Sequence, residues 1–252
     1  MAWFEAVEAT GATFGPDSAT VDANKTAWSN WVIAQKNAES PMAGRSNWDQ
    51  LTEPGEGYIQ PLRGRSTFNV PALFGDSTFT GFVSGDYDTT TGLRGAPGRV
   101  IYSGRSWNST PLDDFSVGMW TTGAASSALN SRILGHITTV TRTLLLNDAR
   151  SMAKSTEIQG SRGTNYLGGT FPRSAFLSRS SGDEYTFHNG LAYTISSDSE
   201  TPTNIEVTFF ADALGNNPSD VRGGLVFYGR SINLEVMNTA CVALSESITW
   251  PT

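Results

Sequence analysis

The spacing of apolar residues changes character twice along the chain. Between residues 18 and 38, Val21, Trp28, Trp31 and Val32 recur at helical spacing, and Asp17 or Ser18 stands where a side-chain oxygen can cap a helix start. This predicts a helix with a tryptophan-bearing face. From Ser40 to Leu62 the period is lost, and Pro41, Pro54 and Pro61 alternate with Gly44, Gly55 and Gly57. That composition reads as a long extended arm or loop, of a length that neighbouring subunits commonly order.

From about residue 66 the pattern becomes short β runs separated by Gly, Asn, Asp and Ser. The runs are Thr78 to Val83, Arg99 to Ser103, Phe115 to Thr121, Ile133 to Thr143, Tyr185 to Ile195, Asn204 to Ala211, Gly224 to Tyr228, Ser231 to Met237 and Cys241 to Trp250. Ile232, Leu234 and Val236 alternate with Asn233 and Glu235, as on a half-buried strand. In the last run Glu246 falls on the otherwise apolar face, as at an edge or an oligomer contact. Leu144 to Lys154, with Leu145, Ala149 and Met152 on one side, predicts a short second helix. Gln159 to Asn165 and Arg179 to Asp183 read as polar loops. The expected fold is mainly β: an antiparallel β-sandwich or barrel with one or two helices and long loops. Residues 1–62 form an N-terminal helix plus extended arm, and residues 63–252 the β domain.

Composition narrows the function classes. With 252 residues and a hydrophobic fraction of 38%, the chain can bury a core, which argues against fibrous and disordered classes. A net charge of −7, with arginines scattered singly, argues against tight nucleic-acid binding, which needs clustered cations. No run of 18 apolar residues is present, so no membrane span is expected, and Glu5 and Glu8 interrupt the N-terminus where a signal peptide is apolar. The sequons beginning at Asn24 and Asn108 then read as chance matches. Of 17 basic residues 14 are Arg, a bias suited to planar, multi-donor contacts. Four of them sit in a recurring tripeptide, Gly44-Arg-Ser46, Gly64-Arg-Ser66, Gly104-Arg-Ser106 and Gly229-Arg-Ser231. Glycine permits a tight turn there, so Arg45, Arg65, Arg105 and Arg230 are candidates for reaching carboxylates on a neighbouring copy, with Trp28 and Trp31 as apolar anchors.

Catalytic patterns are sparse. His136 and His188 lie in different expected strands, and the lone Cys241 sits in an apolar segment, which suits an inert buried thiol better than a nucleophile or metal ligand. Ser151-Met-Ala-Lys154 has the spacing of a lysine-activated serine but lacks the companion elements. Phosphate-loop, dinucleotide and nucleophile-elbow patterns are absent from the sequence. No catalytic residue, cofactor or metal is expected. Asp86, Asp88, Asp113, Asp114, Asp183 and Glu184 fall in expected loops where two carboxylates could converge, as in a glycosidase. The stretch from Asp86 to Gly92 resembles the start of a calcium loop but places its glycine late, and reads better as a hairpin turn. Trp48, and Trp107 beside Asn108, pair a flat apolar ring with hydrogen-bonding groups, the chemistry that holds a sugar.

A Lys-poor, Cys-poor, Gly/Ser/Thr/Arg-rich β chain with a helical and extended N-terminal segment resembles the virion structural proteins of tailed bacteriophages. The likeness is one of composition and layout over the whole chain. Within that group, Phe79 to Gly92, Val207 to Gly215 and Gly224 to Gly229 look like strand-turn-strand units of tail-tube proteins. The resemblance implies a non-enzymatic, self-assembling component of the tail or an attached capsid or neck element. Its partners would be copies of itself and other virion proteins, its location the virion assembled in the host cytoplasm, and segment 40–62 a stacking arm. The alternative is a carbohydrate-binding receptor module, such as a tail-fibre tip, with or without glycan cleavage. A third is an ordinary intracellular β protein with a small-molecule ligand.

Overall fold

Leu225, Val226, Phe227 and Tyr228 are consecutive and all buried, yet they point alternately into two different cores. A strand covered on both faces loses the polar half of its alternation and reads as a continuous apolar run. The architecture around it was obtained as a computed structural model, which describes residues 1–111, 113–123, 134–135, 143–146, 153–156, 173–180, 183–188, 191–196, 204–211 and 221–251.

Four α-helices are described: α1 (Ala2–Glu8), α2 (Ser18–Asn37), α3 (Asn47–Leu51) and α4 (Leu234–Ser247). The strands, in chain order, are β1 (Tyr58–Pro61), β2 (Thr78–Thr80), β3 (Tyr87–Asp88), β4 (Gly92–Arg94), β5 (Val100–Ser106), β6 (Phe115–Gly123), β7 (Leu134–Gly135), β8 (Thr143–Leu146), β9 (Ala153–Thr156), β10 (Arg173–Arg179), β11 (Asp183–His188), β12 (Leu191–Ser196), β13 (Glu206–Phe209) and β14 (Arg222–Gly229). One sheet runs β12-β11-β10-β6-β14-β4-β3, with β1 also paired to β14. A second runs β2-β5-β13-β7, and β8 with β9 forms a separate pair. Every described pairing is antiparallel.

The fold is therefore mainly β and antiparallel, layered as helices, large sheet and small sheet. Trp120, Phe176, Leu225 and Phe227 face the helices, where they join Trp3, Phe14, Trp28, Trp31 and residues of α4. Val117, Met119, Leu177, Val226 and Tyr228 face the second sheet, where they meet Ile101, Val207 and Phe209. Gly118 makes the helix-facing packing possible, because a Cβ there would lie 2.5 Å from the Phe176 ring and 2.6 Å from the Phe227 ring. With no side chain between them, those rings meet edge to face at 5.2 Å.

Helix α2 matches its sequence expectation, capped by Asp17, which accepts from the Thr20 N–H. Several other expectations are corrected. Segment 40–62 contains α3 and the buried strand β1, whose Tyr58 to Pro61 pair with Tyr228 to Leu225, so it is part of the core and not a free arm. A packing break at residue 62 is accordingly not found among the described residues. Residues 231–250, expected as two strands, carry α4. Leu234, Met237, Cys241, Leu244 and Ile248 are buried at helical spacing, Asn233 caps the start, and Glu246 is exposed. Around 144–154 the described residues are strands β8 and β9, with Leu144 opposite Ser155 and Leu145 opposite Lys154, since cross-strand pairing overrides helix propensity. Residues 147–152 between them lie outside the described residues, as do 159–165, 181–182, His136 and most of the expected strand 133–143.

Candidate functional site

The residues singled out from sequence are mostly turned inward. Trp28 and Trp31 are buried between α2, α1 and α4, with the Trp28 ring 5.9 Å from Trp3 and 6.2 Å from Trp31. They are core residues and not exposed anchors. The four tripeptide arginines find partners within the chain. Arg45 pairs with Glu53, Arg230 donates to Glu56 at 2.6 and 3.1 Å, and Arg105 Nε donates to the Gly57 carbonyl at 2.9 Å. Three guanidinium groups thus grip one turn, residues 53–57, and hold it against the sheet. Arg65 is fully buried, bonded to the Pro61 carbonyl and 5.8 Å from the Trp3 ring centroid; burial lowers its pKa. Glycines 44, 64 and 104 have φ of +77°, +74° and +65°, but only Gly44 and Gly64 lie in turns or bends, Gly104 being inside β5, and the expected outward reach of the arginines is corrected.

The tryptophans proposed for sugar contact are also corrected. Trp107 is fully buried, its ring 5.6 Å from Tyr228 in an edge-to-face contact. Trp48 is half-buried against the helical core, with Lys36 Nζ 5.5 Å from its ring centroid. Asn108 is exposed on the turn after β5. Among the loop carboxylates, Asp86 accepts from Val83 N–H and Arg99 Nε at 2.8 and 2.9 Å, and Asp113 from Arg179 Nε at 2.9 Å. Asp114 accepts from Ser231 N–H and hydroxyl at 2.8 and 2.6 Å. Asp88 closes the β3–β4 hairpin, accepting from the N–H and hydroxyl groups of Thr90 and Thr91. Burial pushes its carboxyl up, but those four bonds outweigh it and hold the pKa at about 2. Asp183 and Glu184 lie in β11. Among the described residues no three His, Cys, Asp or Glu side chains come together as a metal site. Cys241 is buried and its thiol pushed up to about 12, which makes it unreactive at neutral pH.

A different surface carries unspent polar groups. The chain between β1 and β2 lies along the helical layer, and with Thr10 and Phe79 it forms a groove of about 550 Å³. Its seat follows from an apolar and polar division within the segment. Val70, Leu73 and Phe74 pack into the helical core, while Asn69 and Asp76 are exposed. Backbone bonds between Ile59 and both Leu73 and Phe74 fix the segment to β1. Trp3 Nε1 donates to the Pro71 carbonyl at 3.0 Å, and Ser77 donates to Gln60 Oε1 at 2.7 Å. Gly75 has φ +77°, and a Cβ there would meet Arg105 Nη2 at 3.1 Å, the Gly57 carbonyl at 3.2 Å and the Tyr58 ring at 3.4 Å. Only glycine lets the segment lie this close to the underlying strand. At the far wall the Phe79 ring is braced edge to face by Phe68 and Phe82, at 5.5 and 6.1 Å. An amide, a carboxylate, two hydroxyls and one aromatic ring thus line a concave, anchored surface. Such a set can hydrogen-bond a polyhydroxylated molecule and pack its apolar face. Sequence reasoning passed over residues 68–77. The available signal was an alternation of apolar residues with Asn, Pro, Gly, Asp and Ser in a stretch too long for a simple turn.

No protein-family model matches the chain, and no curated protein matches it significantly by sequence. Among solved structures, a mutant of Trypanosoma rangeli sialidase displaying trans-sialidase activity is similar, with a TM-score of 0.53 at 12% identity, over 91% of this chain and 39% of the sialidase. Domain 4 of an extracellular arabinanase from Geobacillus stearothermophilus, in complex with arabinotriose, aligns over 71% of this chain and 95% of its own, at 15% identity and a TM-score of 0.44. The likeness to the sialidase is one of fold. This chain spans about two fifths of that protein's length. No helix among the described residues is long and apolar enough to cross a membrane.

Proposed function

We propose that this chain is a carbohydrate-binding β module and that the groove between β1 and β2 is its ligand site. The observation that carries the reading is the pairing of two uncommitted polar side chains, Asn69 and Asp76, with the braced Phe79 ring on one anchored surface. Neither polar group is bonded to another described residue, so a ligand's hydroxyls would not have to displace an internal partner. The fold shared with a sialidase supports the reading without carrying it, since a fold hosts many functions and the site decides among them. The proposal is binding without cleavage: the groove lining carries a single carboxylate, Asp76, where a glycosidase pairs two, and Asp86, Asp88, Asp113 and Asp114 are engaged by donors that hold loops in place. A self-assembling virion role draws no support from the arginines and tryptophans assigned to it, since these are spent within the chain.

The test is a glycan array, followed by calorimetric titration of the strongest hit against the wild type, Phe79→Ala and Asn69→Ala. Phe79 also supports Phe68 and Phe82, so Asn69→Ala, which removes no internal bond, is the cleaner variant. Binding weakened at least tenfold by both supports the groove. A bound glycan that ignores both changes moves the site elsewhere, and an array with no hits refutes the reading.

A further inference from the structure

Resting on the carbohydrate-binding reading, we infer that the groove selects uncharged glycans and rejects sugars bearing a carboxylate, with Asp76 as the residue that sets this preference. Asp76 is the one ionisable side chain among the residues lining the groove. It is exposed and bonded to no other described residue, so its carboxyl group is free to meet an incoming ligand. A sugar carboxylate is held by charge-assisted donors, preferably a guanidinium fork, and the lining side chains supply none. The guanidinium of Arg105 lies beneath Gly75, with Nε and Nη1 donated to the carbonyls of Gly57 and Gly104. That arrangement commits two of its three nitrogens to the backbone, and Arg105 is not among the residues that line the groove, where Asp76 carries the charge.

The same carboxylate favours a neutral ring. Acceptor-only when ionised, it can take hydrogen bonds from two adjacent hydroxyls, while the Asn69 amide offers both donors and an acceptor. Phe79 supplies the apolar wall against which the C–H face of a neutral ring can lie. An acidic sugar in this position would meet a like charge instead, within the protein's overall balance of −7.

The experiment uses an array of paired oligosaccharides differing only in a terminal sialic acid, with titrations of the best pair against the wild-type chain and Asp76→Asn. The expected result is binding of the neutral members, at least tenfold weaker binding of their sialylated partners, and a narrowing of that ratio in Asp76→Asn. Because Asp76 makes no internal bond, an unchanged melting temperature will show that the variant is folded. Sialylated members bound as well as the neutral ones overturn the inference while leaving glycan binding intact. A ratio unmoved by Asp76→Asn overturns the role of Asp76. If neither series binds, the carbohydrate reading falls, and this inference with it.

Discussion

Arg230, at the end of β14, clasps Glu56 with two hydrogen bonds of 2.6 and 3.1 Å across 174 residues of sequence. The pair is about three-quarters buried on each side, and Asp114 Oδ2 lies 3.7 Å from the same guanidinium. With Arg45 on Glu53 and Arg105 on the Gly57 carbonyl, it turns a Pro/Gly-rich turn into a fixed part of the sheet edge. Arg230→Ala is expected to cost about 1.5–3 kcal/mol, the range for hydrogen bonds to charged groups. A double-mutant cycle with Glu56→Ala, read by urea denaturation, should show strong coupling. Purely additive single changes would remove the staple as a stabilising contact.

Asn24 and Thr249 exchange a reciprocal pair of bonds, from Asn24 Nδ2 to the Thr249 carbonyl at 2.8 Å and from the Thr249 N–H to Asn24 Oδ1 at 3.0 Å. The same amide nitrogen also donates to the Phe14 carbonyl at 2.7 Å. Asn24→Ala leaves three backbone groups without that partner and is expected to cost about 3 kcal/mol. The change should appear as a lowered denaturation midpoint with an unchanged slope. A midpoint within error of the wild type contradicts the account.

Gly118→Ala tests the contact of Phe176 with Phe227 across Gly118 on the helix-facing side of the sheet. The added methyl overlaps both rings, and overpacking of this kind costs about 1–3 kcal/mol. Near-ultraviolet circular dichroism and thermal melting should both change. Retention of wild-type stability would show that the rings relax freely.

Acid stability follows from two carboxylates. Asp88 is held at about 2 against an ordinary 3.8, and Glu53 is lowered chiefly by its bond from Arg45. Both are stabilised in the charged form by the fold. Their contribution is complete above the unfolded-state values and is lost as pH falls through the folded ones. Melting temperature measured from neutral pH down to about 2 should therefore fall across this window. In Asp88→Asn the fall should be shallower. Parallel curves for variant and wild type would contradict the assignment.

Cys241, with its thiol at about 12 and no exposure, should resist a thiol-specific chromogenic reagent at neutral pH until the chain unfolds. Stoichiometric labelling of the native chain within minutes would show that α4 opens readily.

The sequence was most legible where local signals agreed. Asp17 and the Trp28/Trp31 spacing delimit α2 because capping and periodicity act within a few residues. At α4 the Ile232, Leu234, Val236 alternation imitates a strand, although Leu234, Met237, Cys241 and Leu244 also trace a helical stripe. Short apolar segments satisfy both periods, and packing against α2 selects the helix. Asn189-Gly190 is a hairpin signal in the sequence inside the expected single strand from Tyr185 to Ile195, and the structure has two paired strands there, β11 and β12.

The β-rich pattern of short apolar runs, the first long helix and the glycine bends before Arg45 and Arg65 are properties of the sequence, because each depends on neighbours close along the chain. Tertiary structure decided that Arg105 and Arg230 are held within the chain, that Trp107 is buried, and that residues 69–79 form a groove. In each case the deciding partner is distant in sequence: Glu56 for Arg230, Tyr228 for Trp107, and Trp3 for the Pro71 carbonyl. Composition shows that a guanidinium or an indole is present. Its surroundings depend on which surfaces close over it, and that is fixed only when the two sheets and the helical layer bury their apolar faces together.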